Sequence, residues 1–159
     1  MSAVAAPRNE DAAAGFARIL LASEGRAISP AAIARTIELA QVTGASVHVL
    51  SIARVHGTAF GLPSPGLLPT KAEWDQQRQI VSKAVARLRR KGVDADGHVL
   101  GTRKTTKRIL DEATAKGCEA IVMGADPDRG RLSGDLLWSQ EPQRVRRKAK
   151  LPVFLVVEQ

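Results

Sequence analysis

Ala120-Ile-Val-Met-Gly124 runs into a loop rich in Gly, Asp and Arg that reaches Gly134; beyond it stand Trp138-Ser139, a basic segment and Leu151-Pro-Val-Phe-Leu-Val-Val157. Apolar run, glycine loop, helix-like segment and apolar run is the pattern of a crossover in a parallel sheet. Such a loop leaves the carboxyl end of a strand, and the next helix offers free N–H groups. An anion is the ligand that suits this place.

The same alternation extends upstream. Ala17-Arg-Ile-Leu-Leu-Ala22 has the length of a buried strand, and Ser23-Glu-Gly-Arg26 follows it as a turn. Ser29-Pro30 starts a helix, with Ser as N-cap and Pro at N1; Ile33, Ile37 and Ala40 share one face, and Gly44 stops it. Ala45–Ala53 is a second strand, rich in β-branched residues. The stretch Arg54–Pro69 holds three Gly and three Pro, so no regular structure is expected there. Thr70-Lys-Ala-Glu73 is a capping box, and Trp74, Val81, Val85 and Leu88 line one face down to Gly92. Val93–Leu100 reads as a third strand whose Asp94 and Asp96 suit a sheet edge. A helix over 104–116 stopped by Gly117, a strand Ala120–Met123, a helix near 139–149 and a strand Val153–Val157 complete the order. Strands alternating with helices predict one doubly wound parallel α/β sheet with helices on both faces. Residues 1–16 read as a flexible tail and 17–159 as the domain.

Composition narrows the function. The 159 residues suit one domain with one core. No apolar run nears the roughly 20 residues of a membrane helix. The N-terminal stretch lacks a continuous apolar region, so no secretory signal is expected, and one cysteine, Cys118, allows no intrachain disulfide. A cytoplasmic protein is the simplest reading, with Cys118 as a packing residue. The net charge of +8 raises nucleic acid as a partner, but three Phe, two Trp and no Tyr are poor material for stacking bases. The basic residues sit in helix-like segments, where cations suit solvated faces and C-terminal turns. His48, His56 and His98 fall in separate elements without ligand spacing, so no metal site is expected. Ser133 and Ser139 have no histidine near in sequence to activate them; Ser139 reads instead as the N-cap of the helix near 139–149, and no enzymatic role is expected.

Ile19-Leu-Leu-Ala-Ser-Glu-Gly25, Met123-Gly124, Gly130-Arg-Leu-Ser-Gly-Asp-Leu-Leu-Trp-Ser139 and Leu151–Val157 together resemble the universal stress protein family over nearly the whole chain. The resemblance implies a five-stranded sheet in the order 3-2-1-4-5, a homodimer through Val153–Val157, and an adenine-nucleotide cleft. Matching positions place base and sugar at Ala22, Ser23, Glu24, Ile52, Met123 and Gly124, and further nucleotide contacts at Gly130, Arg131, Ser139 and Gln140.

The family's nucleotide binders carry G-x-x-G, nine residues, then G-[S/T], and this chain departs from that pattern. Gly124 and Ser139 are kept. Pro127 replaces the second glycine in a loop one residue longer, and Trp138 replaces the third. Glu141 stands where a small hydroxyl residue is usual, Glu24 replaces an Asp, and Arg26 replaces a Ser. Proline fixes φ and removes an N–H donor. Asp126, Asp128 and Glu141 repel phosphate oxygens by about 1 kcal/mol each at ~4 Å in water-like dielectric; Arg26, Arg129 and Arg131 can offset this. The residues therefore point to a non-enzymatic regulatory protein with a degenerate cleft and weak or no ATP binding. The alternative is a genuine ATP, AMP or cyclic AMP binder with slow or no hydrolysis, using Arg129 and Arg131 on the phosphates.

Overall fold

The computed structural model describes residues 15–54, 69–127 and 140–157, together with the backbone of 58–59 and 62–63. Strands β1 (Arg18–Ser23), β2 (Ser46–Arg54), β3 (Ala95–Thr102), β4 (Ala120–Ala125) and β5 (Val153–Val157) form one sheet. Every neighbouring pair is parallel, and the spatial order is β3-β2-β1-β4-β5. Helices α1 (Pro30–Thr43), α2 (Lys71–Arg90), α3 (Thr105–Ala115) and α4 (Glu141–Lys148) provide the crossovers. The doubly wound sheet anticipated from the alternating pattern is the one observed. One expectation for Arg54–Pro69 fails: Thr58–Ala59 and Leu62–Pro63 pair as a two-residue antiparallel ladder.

The helix signals are realised in detail. Ser29 Oγ accepts from Ala32 N–H at 3.0 Å, and Gly44 closes α1 at φ 73°. Thr70 Oγ1 accepts from Glu73 N–H at 3.1 Å. The start of α4 differs from expectation. Its N-cap is Gln140, not Ser139, and Gln140 makes no side-chain cap bond. The basic residues Arg87, Arg89 and Arg90 close α2, and Arg146, Arg147 and Lys148 close α4, where the helix dipole favours cations.

Two apolar layers sandwich the sheet. Alternate residues of β1 and β2, among them Leu21, Val47 and Val49, pack with Ile33, Leu39, Val81 and Leu88 of α1 and α2. The opposite set, Leu20, Leu50, Ile52 and Met123, packs with Ile109 and Ala113 of α3 and Val145 of α4. Phe16 is already part of the core, edge-on to Phe154 with ring centroids 6.2 Å apart. At the β3 edge α2 lies very close: a Cβ added at Gly97 would stand 2.6 Å from Val49 O and 2.7 Å from Val81 Cγ1. Trp74 covers the same strand further along, over Gly101.

Cys118 lies under this core, buried beside the Arg18 side chain. Burial pushes its thiol up to about 11, against the opposing pull of Arg18. The thiolate is the reactive form, so at pH 8 it is scarce in the folded chain. Reaction with a thiol-specific disulfide reagent at pH 8 is expected to be about 100-fold slower than in urea, from that shift and the burial together. Equal rates in both conditions would contradict the buried, protonated thiol.

Candidate functional site

The chain runs from β1 to β2 on one side of the sheet and later crosses to β4 on the other. The crevice between the carboxyl ends of β1 and β4 is therefore the switch point, where open α/β sheets hold ligands. Of the residues expected at a nucleotide, Ala22, Ser23, Glu24, Ile52, Met123 and Gly124 lie on β1, β2 and β4 or just after β1. Ala22 pairs in register with Met123, which brings the base and sugar positions together. Gln140 caps α4, while Gly130, Arg131 and Ser139, with Arg129, Ser133 and Trp138, lie outside the described residues.

Arg26 occupies the crevice. Its Nε donates to Glu24 Oε1 at 2.8 Å. Its two terminal nitrogens donate to Asp126 Oδ1 and Oδ2 at 3.1 and 3.3 Å. The guanidinium thus spans the loop after β1 and the residue after β4 through a forked contact. Glu24 is fully buried and Arg26 nearly so. Burial opposes the charge on Arg26, but Glu24 and then Asp126 outweigh it and hold the group more firmly protonated than a free arginine.

The loop after β1 is fixed from several directions. Ser23 Oγ accepts from Gly25 N–H at 3.1 Å and donates to Arg26 O. Gly25 adopts φ 128°, a conformation that favours glycine. Arg54 Nε donates to Glu24 O at 2.9 Å, and Gln77 Nε2 donates to Gly25 O at 3.1 Å. Ser51 Oγ donates in turn to Gln77 Oε1. Two buried polar atoms here, Glu24 Oε2 and Arg54 Nη2, have no hydrogen-bond partner among the described residues.

The N-terminus of α4 carries its own anion. Glu141 opens the helix, its Oε2 accepting from Thr106 Oγ1 and its Oε1 from Arg144 at 3.2 Å. Pro142 follows, removing an N–H from the same turn. A carboxylate and a missing donor leave this helix start poorly suited to a phosphate.

Two groupings were not legible in the sequence. Arg54 and Gln77 brace the loop after β1; the signal was Gln77, a polar residue one turn before Val81 on the apolar face of α2. The second joins His48 and His98, which fall in separate elements as expected but meet across them. The β2/β3 register sets His48 opposite Asp96 and Leu50 opposite His98, so the two histidines are diagonal neighbours on one face. Their ring centroids lie 4.9 Å apart, and both meet Glu112 of α3. His56 lies outside the described residues. A separate groove of about 610 Å³ runs between α2 and β3, lined by Trp74, Arg78, Val85 and Val99, away from the switch point.

Comparison with known proteins agrees with this geometry. The universal stress protein family matches residues 15–157. A member from Burkholderia pseudomallei has a similar structure, with a TM-score of 0.65 and 23% identity over 89% of this chain and 96% of that one. An Archaeoglobus fulgidus universal stress protein solved in complex with dAMP gives a TM-score of 0.60 and 24% identity over 87% and 96% of the two chains. A universal stress protein solved in complex with cAMP gives 0.63 and 16% over 90% and 98%. With a match across the whole sheet and its crossovers, the chain belongs to the universal stress protein family.

Proposed function

We propose that this chain is a non-enzymatic regulatory member of its family whose adenine-nucleotide cleft is degenerate and closed by its own side chains. The observation that carries this reading is Arg26, held between Glu24 and Asp126 across the switch point. A nucleotide entering there must displace a buried, doubly paired guanidinium, and its phosphates would then face Asp126 and Glu141. Pro127 and Pro142 add to this by removing two N–H donors near the phosphate path.

A second reading, an AMP-like or cyclic AMP ligand, is favoured by Glu24 Oε2 and Arg54 Nη2. These buried atoms lack partners among the described residues, and ribose hydroxyls or a base edge would supply them. Calorimetric titration with ATP, AMP and cyclic AMP separates the two. The first reading expects no micromolar binding of any of them; micromolar ATP affinity would sink it. Micromolar AMP or cyclic AMP affinity that Glu24→Gln abolishes would establish the second.

Arg26 also has a structural consequence. Arg26→Met leaves Glu24 buried without its cation and is expected to cost about 3 kcal/mol of stability. Urea denaturation at neutral pH measures this, and an unchanged midpoint would show that the pair is not formed.

We also infer a homodimer through β5. This strand is the second edge of the sheet, and Val157 is 51% exposed. An apolar parallel edge needs cover. Light scattering is expected to give twice the chain mass for the wild type and the single-chain mass for Val157→Arg. A monomeric wild type would refute this pairing.

A further inference from the structure

We infer that His48, His98 and Glu112 form a binding site for a divalent first-row transition cation of the zinc class, at the opposite end of the sheet from the switch point. His48 Nε2 lies 3.0 Å and His98 Nε2 2.7 Å from the same atom, Glu112 Oε2. The three candidate ligand atoms all lie within 4.8 Å of one another. Bond lengths of about 2.0–2.2 Å to such an ion place tetrahedral ligands roughly 3.3 Å apart, so the two histidine–carboxylate distances need to open by a few tenths of an ångström, while the two imidazole nitrogens lie within 4.8 Å of each other.

The hydrogen-bond arithmetic calls for added positive charge at this cluster. His48 faces two carboxylates: Nδ1 lies 2.8 Å from Asp96 Oδ1, and Nε2 meets Glu112. Ionised carboxylates accept only, and a neutral imidazole donates from one nitrogen. With Nδ1–H on Asp96, the Nε2 lone pair points at a carboxylate oxygen that His98 Nε2 also approaches. Either a second proton on His48, which then donates to both carboxylates, or a metal ion at the common point supplies that charge; the ion takes both Nε2 lone pairs and Glu112 Oε2 as ligands.

The surroundings match what such ions require. Asp96 on Nδ1 fixes the tautomer and orientation of His48, as an outer carboxylate does at a metal-bound histidine. Asp96 is itself held by Arg18 at 3.0 Å. Two imidazoles and one carboxylate favour zinc, cobalt, nickel or iron over the hard, oxygen-seeking calcium and magnesium. The His98 side chain is 35% exposed, which gives an ion a way in and leaves a coordination position facing solvent. The ligands come from β2, the edge strand β3 and α3, so a bound ion would pin the edge of the sheet to its helix.

The test uses the full chain after EDTA treatment and dialysis, titrated with Co2+ and then Zn2+. One equivalent of Co2+ is expected to bind with the intense visible bands of a low-coordinate ion, to be displaced by Zn2+, and to raise the melting temperature. His98→Ala changes a half-exposed residue, so it keeps the fold; it is expected to lose the bands and at least tenfold in affinity. Asp96→Asn is expected to keep the stoichiometry and lose about tenfold. No stoichiometric uptake by the wild type would overturn the site. Undiminished uptake by His98→Ala would overturn it equally.

Discussion

The reversal of strand order between β1 and β4 governs this molecule. Right-handed crossovers send β2 and β3 to one side and β4 and β5 to the other, so one crevice opens at the carboxyl ends where the sheet divides. The loops there cannot cover each other with crossover helices, and their polar groups need either a ligand or partners from within. In this chain Glu24 and Asp126 share Arg26, Arg54 and Gln77 hold the backbone of Glu24 and Gly25, and Glu24 Oε2 and Arg54 Nη2 stay without a partner among the described residues. Removing one member of so buried a set leaves charge without compensation, a costly state. These contacts make the crevice between β1 and β4 part of the stabilising network.

The same parallel register that builds this crevice also builds the polar cluster at the other end. Side chains two residues apart along β2 and β3 share a face, and on the α3 side that face reads His48, Leu50, Ile52 against Asp96, His98, Leu100. Toward the carboxyl ends these positions are apolar and pack on Ile109 and Ala113. Toward the amino ends they are histidine and aspartate, and α3 meets them with Glu112, one turn past Ile109. The polar group thus sits where the core thins out at the sheet edge, which is also where a bare strand needs charge for protection. Gly97, within the same short stretch, lets α2 close over the other face of that strand.

Much of this was legible in the sequence, for reasons that differ by element. Ser29-Pro30, Thr70 and Gly44 act within a turn of themselves, so their local chemistry fixed the helix boundaries. The start of α4 was misplaced because its cap is Gln140, a residue without cap geometry of its own. The strands declared themselves by apolar runs, and the family resemblance supplied their order, which no local pattern encodes. The site was legible only in outline. Glu24, Met123 and Gly124 could be placed at strand ends, but the Arg26–Asp126 contact spans a hundred residues and depends on which strands are neighbours. His48, His98 and Glu112 were hidden for the same reason. Each was nevertheless a polar residue at an apolar position of its own element, a signal visible without any pairing.

The two ends of the sheet are joined by β2. Its Ser51 and Arg54 brace the loop at the switch point through Gln77 and Glu24 O, and His48, three residues before Ser51, reaches Asp96 and Glu112. Between them lie Val49, Leu50 and Ile52, fully buried and close-packed. Such a core moves as a unit rather than yielding locally. Whatever fixes the β3 edge to α3 at His98 and Glu112 therefore also fixes the position of β2 beneath the loop that carries Glu24. The polar cluster at the edge strand and the arginine network at the switch point thus act on one strand from its two ends.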